Sequence, residues 1–158
     1  MKFLHTVGAI GFGGALVVQL VLAGTAVTEV TPKEYLALRQ SIVTVSKWVM
    51  VPSMAAVVIS GLLAMAIHRP FHNAGWVWIK AVLGVAVLEG SLVGIQGSAE
   101  KALVIARDMA ESGAGTEQLA ALGAVLRTEQ GVTWVMLILA TANIALAVWR
   151  PRRRRKRA

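Results

Sequence analysis

Four long apolar runs constrain this chain more than any other feature of its sequence. They cover about residues 3–27, 48–68, 76–97 and 132–149 of a chain of 158 residues. A helix that crosses a bilayer needs roughly 17 to 25 mostly apolar residues, so each run is long enough to span one. We therefore expect an all-α polytopic membrane protein, built as an antiparallel bundle of four transmembrane helices within one domain, residues 1–149.

Composition supports a membrane protein and excludes several kinds of chemistry. Apolar residues make up 56% of the chain, more than a water-soluble core of this size requires. The chain has no cysteine, which excludes disulfides, thiolate metal sites and cysteine nucleophiles. It also lacks a phosphate-binding loop, a nucleophile elbow and a paired-carboxylate motif. The sequence therefore gives no sign of soluble-enzyme chemistry and leaves open whether the protein is an enzyme.

The charge distribution predicts how the chain lies in the membrane. The net charge is +8, and seven of the sixteen basic residues belong to the tail, residues 150–158, directly after the last apolar run. Such a cluster is retained in the cytoplasm and attracts anionic lipid headgroups. With four spans, both termini are then cytoplasmic. No aromatic residue is interleaved in the tail, so we expect lipid rather than nucleic acid as its partner.

Helix signals lie outside the apolar runs as well. Thr31 to Glu34 has the pattern of a capping box, with proline at the first helical position, so a helix should begin at Pro32 and continue into the second span. Pro52 should kink that helix. Helical spacing also continues beyond the third run through residues 98–111, up to Gly113. We therefore expect helices 2 and 3 to extend beyond the membrane on the outside.

Glycines recur at short spacing within two of the runs. Gly8, Gly11 and Gly14 follow one another every three residues in the first run, and Gly90 and Gly94 form a similar pair in the third. Small residues let helix backbones approach closely in lipid. The spacing predicts close packing inside the bundle, and the alternative is a homodimer face.

Two ionisable residues interrupt the third run. Lys80 lies roughly 6 Å from its cytoplasmic end and Glu89 roughly 20 Å, at 1.5 Å per helical residue. Because nine residues turn a helix by about 900°, the two side chains lie on opposite faces and do not pair with each other. Glu89 then needs another partner, a bound proton or contact with lipid. Gln19 of the first run lies at a similar depth.

Polar residues of several spans converge at the predicted cytoplasmic side. His5, His68, Lys80 and Asn143 all lie near that end of their helices, which predicts a polar pocket there. His5 and His68 meet the basic requirement of haem b, imidazoles on facing helices at similar depth. The histidine and carboxylate spacings do not match a zinc site, so no metal site is expected from them. The alternatives are interfacial histidines and a lysine that reaches to the headgroups.

Three segments resemble a known group of proteins: KFLHTVGAIGFGG, LALRQSIVTVSKWVMVPSMAAVVISGLLAM and GWVWIKAVLGVAVLEG. They are similar to predicted bacterial four-helix membrane proteins of unknown function, which are distantly similar to the copper-resistance D and membrane protoporphyrinogen oxidase families. In the oxidase family a first-helix histidine and a third-helix lysine are functional and haem is bound; by position they match His5 and Lys80. The resemblance implies the bacterial inner membrane; the identity of a cofactor stays open, with haem b as the candidate.

Two hypotheses for function follow. The first is a cofactor- or haem-associated protein in which His5 is an axial ligand, with His68 facing it, and Lys80 pairs with a propionate or another anion. The second is a noncatalytic membrane subunit or small transporter, in which Glu89 and Gln19 hold the bundle together or relay a proton. A second copy of the chain or a membrane complex would be its partner.

Overall fold

The computed structural model describes residues 1–25, 31–67 and 75–148, and these residues form helices almost throughout. No strand occurs in these three ranges, which confirms the predicted all-α four-helix bundle. In chain order the elements are α1 (Lys2–Thr25), α2 (Pro32–Val45), the π-helical segment π1 (Ser46–Met50), α3 (Val51–Ile67), α4 (Gly75–Glu89), a second π-helical segment π2 (Gly90–Gln96), α5 (Gly97–Ser112) and α6 (Thr116–Val148).

Within the described ranges, four helical rods are long and apolar enough to cross a membrane, so the protein is a multi-pass membrane protein. The second rod joins α2, π1 and α3 over 36 residues, and the third joins α4, π2 and α5 over 38. Both exceed the roughly 20 residues that span a bilayer. The residues beyond that length form a helical extension, in which α2 and α5 pack with the start of α6. We call this end of the bundle the extension end. The opposite end, where α1 begins, is called the cleft end.

The ends of the extension helices follow their capping residues. The backbone N–H of Thr31 donates to Oε2 of Glu34 at 2.8 Å, and the N–H of Glu34 lies 3.4 Å from Oγ1 of Thr31, which completes the predicted capping box. At the end of α5, Gly113 adopts a positive φ of 90°, which favours glycine, and its N–H donates to the carbonyl of Met109. The predicted start and stop of these helices are therefore confirmed.

Each of the two long rods contains a π-helical segment near its middle. In the second rod, the N–H of Val51 donates to the carbonyl of Ser46, and Pro52 follows directly. The sequence predicts a kink at Pro52. The structure has this wider π-helical turn directly before Pro52, a residue that has no backbone N–H to donate. In the third rod, Gly97 donates to the carbonyl of Leu92 in the same way. Such π-helical turns are frequent at functional sites.

Two of the three glycines that recur every three residues in α1 allow close helix packing. A Cβ atom on Gly8 would lie 2.7 Å from the carbonyl oxygen of Ser53 on α3, and Gly11 also faces Ser53. Gly14 differs, because a Cβ atom there would meet nothing within 4 Å. The close approach of α1 and α3 therefore depends on Gly8 and Gly11, and not on the whole glycine series that the sequence suggests.

The core lies between all four rods. Gly90 and Gly94 of π2 pack against Met136 and Val132 of α6, which confirms that this glycine pair packs within the bundle. Large apolar side chains cover the outside of the rods, which is compatible with contact with lipid. The buried members of the main core cluster are Phe12, Ala15, Leu16, Met50, Met54, Val87, Ile95 and Met136.

Candidate functional site

A cleft of about 850 Å³ opens between α1, α3, α4 and α6 at the cleft end. His5, Lys80 and Asn143 line it, so the structure brings three of the predicted pocket residues together. The fourth, His68, lies outside the described residues, as does the basic tail. Phe12 and Met54 form part of the apolar floor of the cleft.

The hydrogen bonds of His5 fix its tautomer. Its Nδ1 lies 3.1 Å from the carbonyl oxygen of Val57 and 3.1 Å from Oγ of Ser60. A carbonyl oxygen only accepts, so Nδ1 carries the proton and donates it. The Ser60 hydroxyl in turn donates to the carbonyl of Ala56 at 2.6 Å. In neutral His5, Nε2 therefore keeps its lone pair, which is the state of the ring that binds a metal ion or accepts a hydrogen bond.

The electrostatic character of the cleft is cationic. Lys80 is half-buried on α4 and Lys2 is exposed at the start of α1, and both line the cleft. No acidic residue is among the described residues that line it. Asn143 of α6 adds a buried Oδ1 atom without a hydrogen-bond partner. Apolar walls with basic groups suit a ligand that is mostly apolar and carries a negative charge.

Glu89 lies on the outer surface of the bundle and not in the cleft. Its side chain is exposed and lines a shallow groove of about 600 Å³ between the third and fourth rods, which Arg127 and Gly131 also line. Gln19, by contrast, is only 2% exposed, and neither of its amide atoms has a partner. Although the sequence places the two residues at similar depth, one faces outward and the other inward, so they do not act together.

The structure also reveals a buried ion pair that the sequence does not suggest. Nη2 of Arg39 on α2 donates to Oε2 of Glu129 on α6 at 2.6 Å, and the two side chains are 0% and 5% exposed. From the sequence both residues count as ordinary charges of an outside segment. A signal is nevertheless present, because Arg39 lies four residues after Tyr35 and three before Ile42, on the packed face of α2.

Several polar atoms around this pair have no hydrogen-bond partner. They are Nε and Nη1 of Arg39, Oε1 of Glu129 and the hydroxyl of Tyr35. Tyr35 precedes the apolar part of its rod, and burial raises the pKa of its phenol, an effect that the charge of Arg39 opposes. The phenol of Tyr35 is therefore neutral beside the ion pair.

At the start of α2, hydrogen bonds from the hydroxyl and backbone N–H of Thr31 hold the pKa of Glu34 below its usual range.

No protein-family model, curated protein or solved structure matches this chain. Two polar regions of the structure are the candidates for a functional site: the cleft around His5 and the buried pair of Arg39 and Glu129.

Proposed function

We propose that the protein binds an amphiphilic ligand with a flat apolar body and an acidic edge in the cleft, and that this ligand is haem b. The observation that carries the proposal is the hydrogen bond from Nδ1 of His5 to the carbonyl of Val57. That bond orients the imidazole and leaves Nε2 as the basic nitrogen, which is the usual arrangement of a metal-binding histidine.

The residues of the cleft fit such a ligand in size and charge. Binding sites for cofactors and drug-sized ligands occupy about 300–1,000 Å³, are mostly apolar and carry a few polar groups that fix orientation. The cleft has a volume of about 850 Å³ and apolar walls from four helices. His5 would hold the iron, while Lys80 and Lys2 would pair with carboxylates at the edge. When bound, haem supplies one-electron redox chemistry.

We propose that the protein lies in a bacterial inner membrane with both termini in the cytoplasm. In this orientation the cleft opens on the cytoplasmic side. His68 is then the candidate for a second imidazole, and the basic tail binds anionic lipids of the cytoplasmic leaflet. Support for this orientation comes from the sequence, which has nine basic residues in the predicted inside segments against six outside.

The test is a haemin titration of the purified protein in detergent, followed by the Soret band. The wild-type protein should saturate at one haemin per chain, and His5→Ala should lose the shifted band. Ser60→Ala is the matched control, because it keeps the bond from His5 to the Val57 carbonyl and should retain binding. Lys80→Met should weaken binding by roughly tenfold, the loss of one charge pair of about 1.4 kcal/mol.

Lys47→Met provides the control for the lysine. Lys47 is exposed in π1, away from the cleft, so its loss should leave the affinity for haemin unchanged. Haemin that binds equally well to the His5→Ala variant would show that the imidazole is not a ligand. A wild-type protein without a saturable Soret shift would refute the proposal.

A second candidate function is that of a noncatalytic membrane subunit, and the exposed carboxylate of Glu89 favours it. A carboxylate at span depth is costly in lipid, so a partner helix with a hydrogen-bond donor would stabilise it. Gly131 in the same groove has open space around its Cα, which allows a close helix approach. Native mass spectrometry from nanodiscs should then detect a complex that Glu89→Gln and Gly131→Leu both weaken and Gly14→Leu does not.

A further inference from the structure

The four helices around the cleft pack against one another unevenly. On one side of α3, Gly8 and Gly11 bring α1 against Ser53. On the other side, a Cβ atom on Gly84 of α4 would lie 3.7 Å from Cγ2 of Val58, an ordinary van der Waals contact. Among the residues that the structure describes, α1 and α6 have the least contact of the four neighbouring pairs around the cleft. The side of the cleft between α1 and α6 is therefore the least closely packed.

The cleft-lining residues of α1 continue around this helix onto its outer surface. They run from Phe12, which is buried in the core, through Gly13 to Ile10, which is 71% exposed. At about 100° per residue, Gly13 lies roughly 150° around the helix from Gly8 and Gly11, which face α3. A Cβ atom on Gly13 would meet nothing within 4 Å. The cleft therefore reaches the surface of α1 on the side away from α3.

The lining residues of α6 reach the outer surface in the same way. Asn143 is half-buried, and Ile144, which also lines the cleft, is 63% exposed. By the same count, Ile144 lies roughly 100° around α6 from Val132 and Met136, which face the third rod. Ile10 and Ile144 therefore border the cleft on the two sides of the gap between α1 and α6. We call this strip, which consists of Ile10, Gly13 and Ile144, the seam.

The seam lies at the depth of the hydrocarbon in a bilayer. The apolar span of the first rod covers Lys2–Gly24. At 1.5 Å per residue, Ile10 and Gly13 lie roughly 12 and 17 Å from Lys2, within a hydrocarbon core about 30 Å thick. Apolar side chains exposed at that depth face acyl chains rather than water. The cleft therefore borders lipid along the seam, whereas Lys2 lies at the end of the cleft nearest the headgroups.

We propose that the seam is a lateral portal, through which the ligand of the cleft enters and leaves by way of the lipid phase. This inference rests on the proposed function, because it concerns the same amphiphilic ligand. The apolar body of such a ligand dissolves in the bilayer while its acidic edge stays among the headgroups. The ligand therefore approaches with its edge near Lys2 and its body at the depth of Gly13. It needs only to pass between α1 and α6 to place its body against Phe12 and Met54.

The first test measures how fast haemin loads. Wild-type protein in liposomes is mixed with haemin, which dissolves in the bilayer, and the shifted Soret band is followed by stopped flow. Gly13→Trp should slow loading by roughly tenfold, because the indole fills the seam where the backbone leaves room for a side chain. Release to excess apomyoglobin should slow by the same factor, so the affinity stays unchanged. Faster release with a weaker affinity would show that the indole competes for the cleft, and this result would overturn the portal.

Val17→Trp is the matched control. Val17 lies one turn beyond Gly13 on the same side of α1, is exposed, and is not among the described residues that line the cleft. Its substitution should leave loading and release at the wild-type rates. If Val17→Trp slows loading as much as Gly13→Trp does, the effect is not specific to the seam, and the portal is refuted. Loading of the Gly13→Trp protein at the wild-type rate refutes it as well.

The second test does not need haemin. The chain has no native cysteine, so the Ala140→Cys protein carries a single bimane label on the cleft wall of α6. Phospholipids with a nitroxide on the acyl chain should quench this label, and Gly13→Trp should remove most of the quenching while Val17→Trp keeps it. A label that is not quenched, or quenching that Gly13→Trp leaves unchanged, refutes the portal whether or not haemin binds. A wild-type protein without a Soret shift refutes the proposed function alone, and the label then decides the portal.

Discussion

The two ends of the bundle hold their charged side chains in different surroundings. At the cleft end, Lys2 and Lys80 border an open space, and His5 is half-buried with a hydrogen bond to a backbone carbonyl. At the extension end, Arg39 and Glu129 are packed inside protein and bond to each other across two helices. The comparison shows that the helices leave space between them at one end of the bundle, whereas at the other end a buried pair of charges joins two of them.

The length of the helices separates the two regions. The second and third rods run for 36 and 38 residues, whereas roughly 20 residues span a bilayer. The ion pair lies in the extension, because Arg39 belongs to α2 and bonds to Glu129 of α6, and the cleft lies at the other end of the rods.

The largest expected effect is at the extension end. Arg39→Met should lower the free energy of unfolding by about 3–5 kcal/mol, because it leaves the carboxylate of Glu129 buried without a counter-charge. Denaturant titration in detergent, followed by circular dichroism, measures this loss. The double variant Arg39→Met with Glu129→Leu should recover most of it, since two apolar residues of similar volume can replace a buried pair. An Arg39→Met protein as stable as the wild type would show that the pair does not hold the extension.

A smaller effect is expected at the cleft end, where close backbone packing positions His5. Gly8→Ala should cost about 1–3 kcal/mol, since its Cβ atom would meet the carbonyl oxygen of Ser53 and force α1 away from α3. Gly14→Ala is the control: open space surrounds that position, and alanine is the better helix former by about 1 kcal/mol. Equal stabilities of the two variants would contradict the packing assigned to Gly8.

The sequence predicts the fold well because its strongest signals are local. Apolar runs long enough to cross a bilayer predict the four rods, and the capping box at Thr31 and the glycine at Gly113 predict the ends of the extension. Counting depth along the helices brings His5, Lys80 and Asn143 to the same end, and all three line the cleft. What these residues bind stays a prediction.

The parts that could not be predicted depend on contacts between distant segments. Arg39 and Glu129 are 90 residues apart in the chain, and only the packing of α2 and α6 brings them together. The exposed position of Glu89 has the same origin, because spacing fixes its angle relative to Lys80 but not which face meets the neighbouring rods.

The smallest effect concerns the first turn of α2, which begins the extension. Thr31→Ala should weaken this helix start by about 1 kcal/mol, because the hydroxyl no longer caps the backbone. The stabilising contribution of the capping box should also depend on pH. Since the bonds from Thr31 lower the pKa of Glu34 in the folded state, this contribution is complete above the ordinary carboxyl pKa and is lost as the pH falls through the lowered value.

Hydrogen exchange at the first turn of α2, measured at several pH values, tests this dependence locally. In the wild-type protein, protection of this turn, corrected for the intrinsic pH dependence of exchange, should fall in acid, and Glu34→Gln should remove the fall. Glu111→Gln, at the exposed end of α5, should leave it unchanged. The same pH dependence of protection at α2 in the wild type and in Glu34→Gln would show that the carboxylate of the capping box does not stabilise the extension. In that case the ion pair alone would distinguish the extension end from the cleft end.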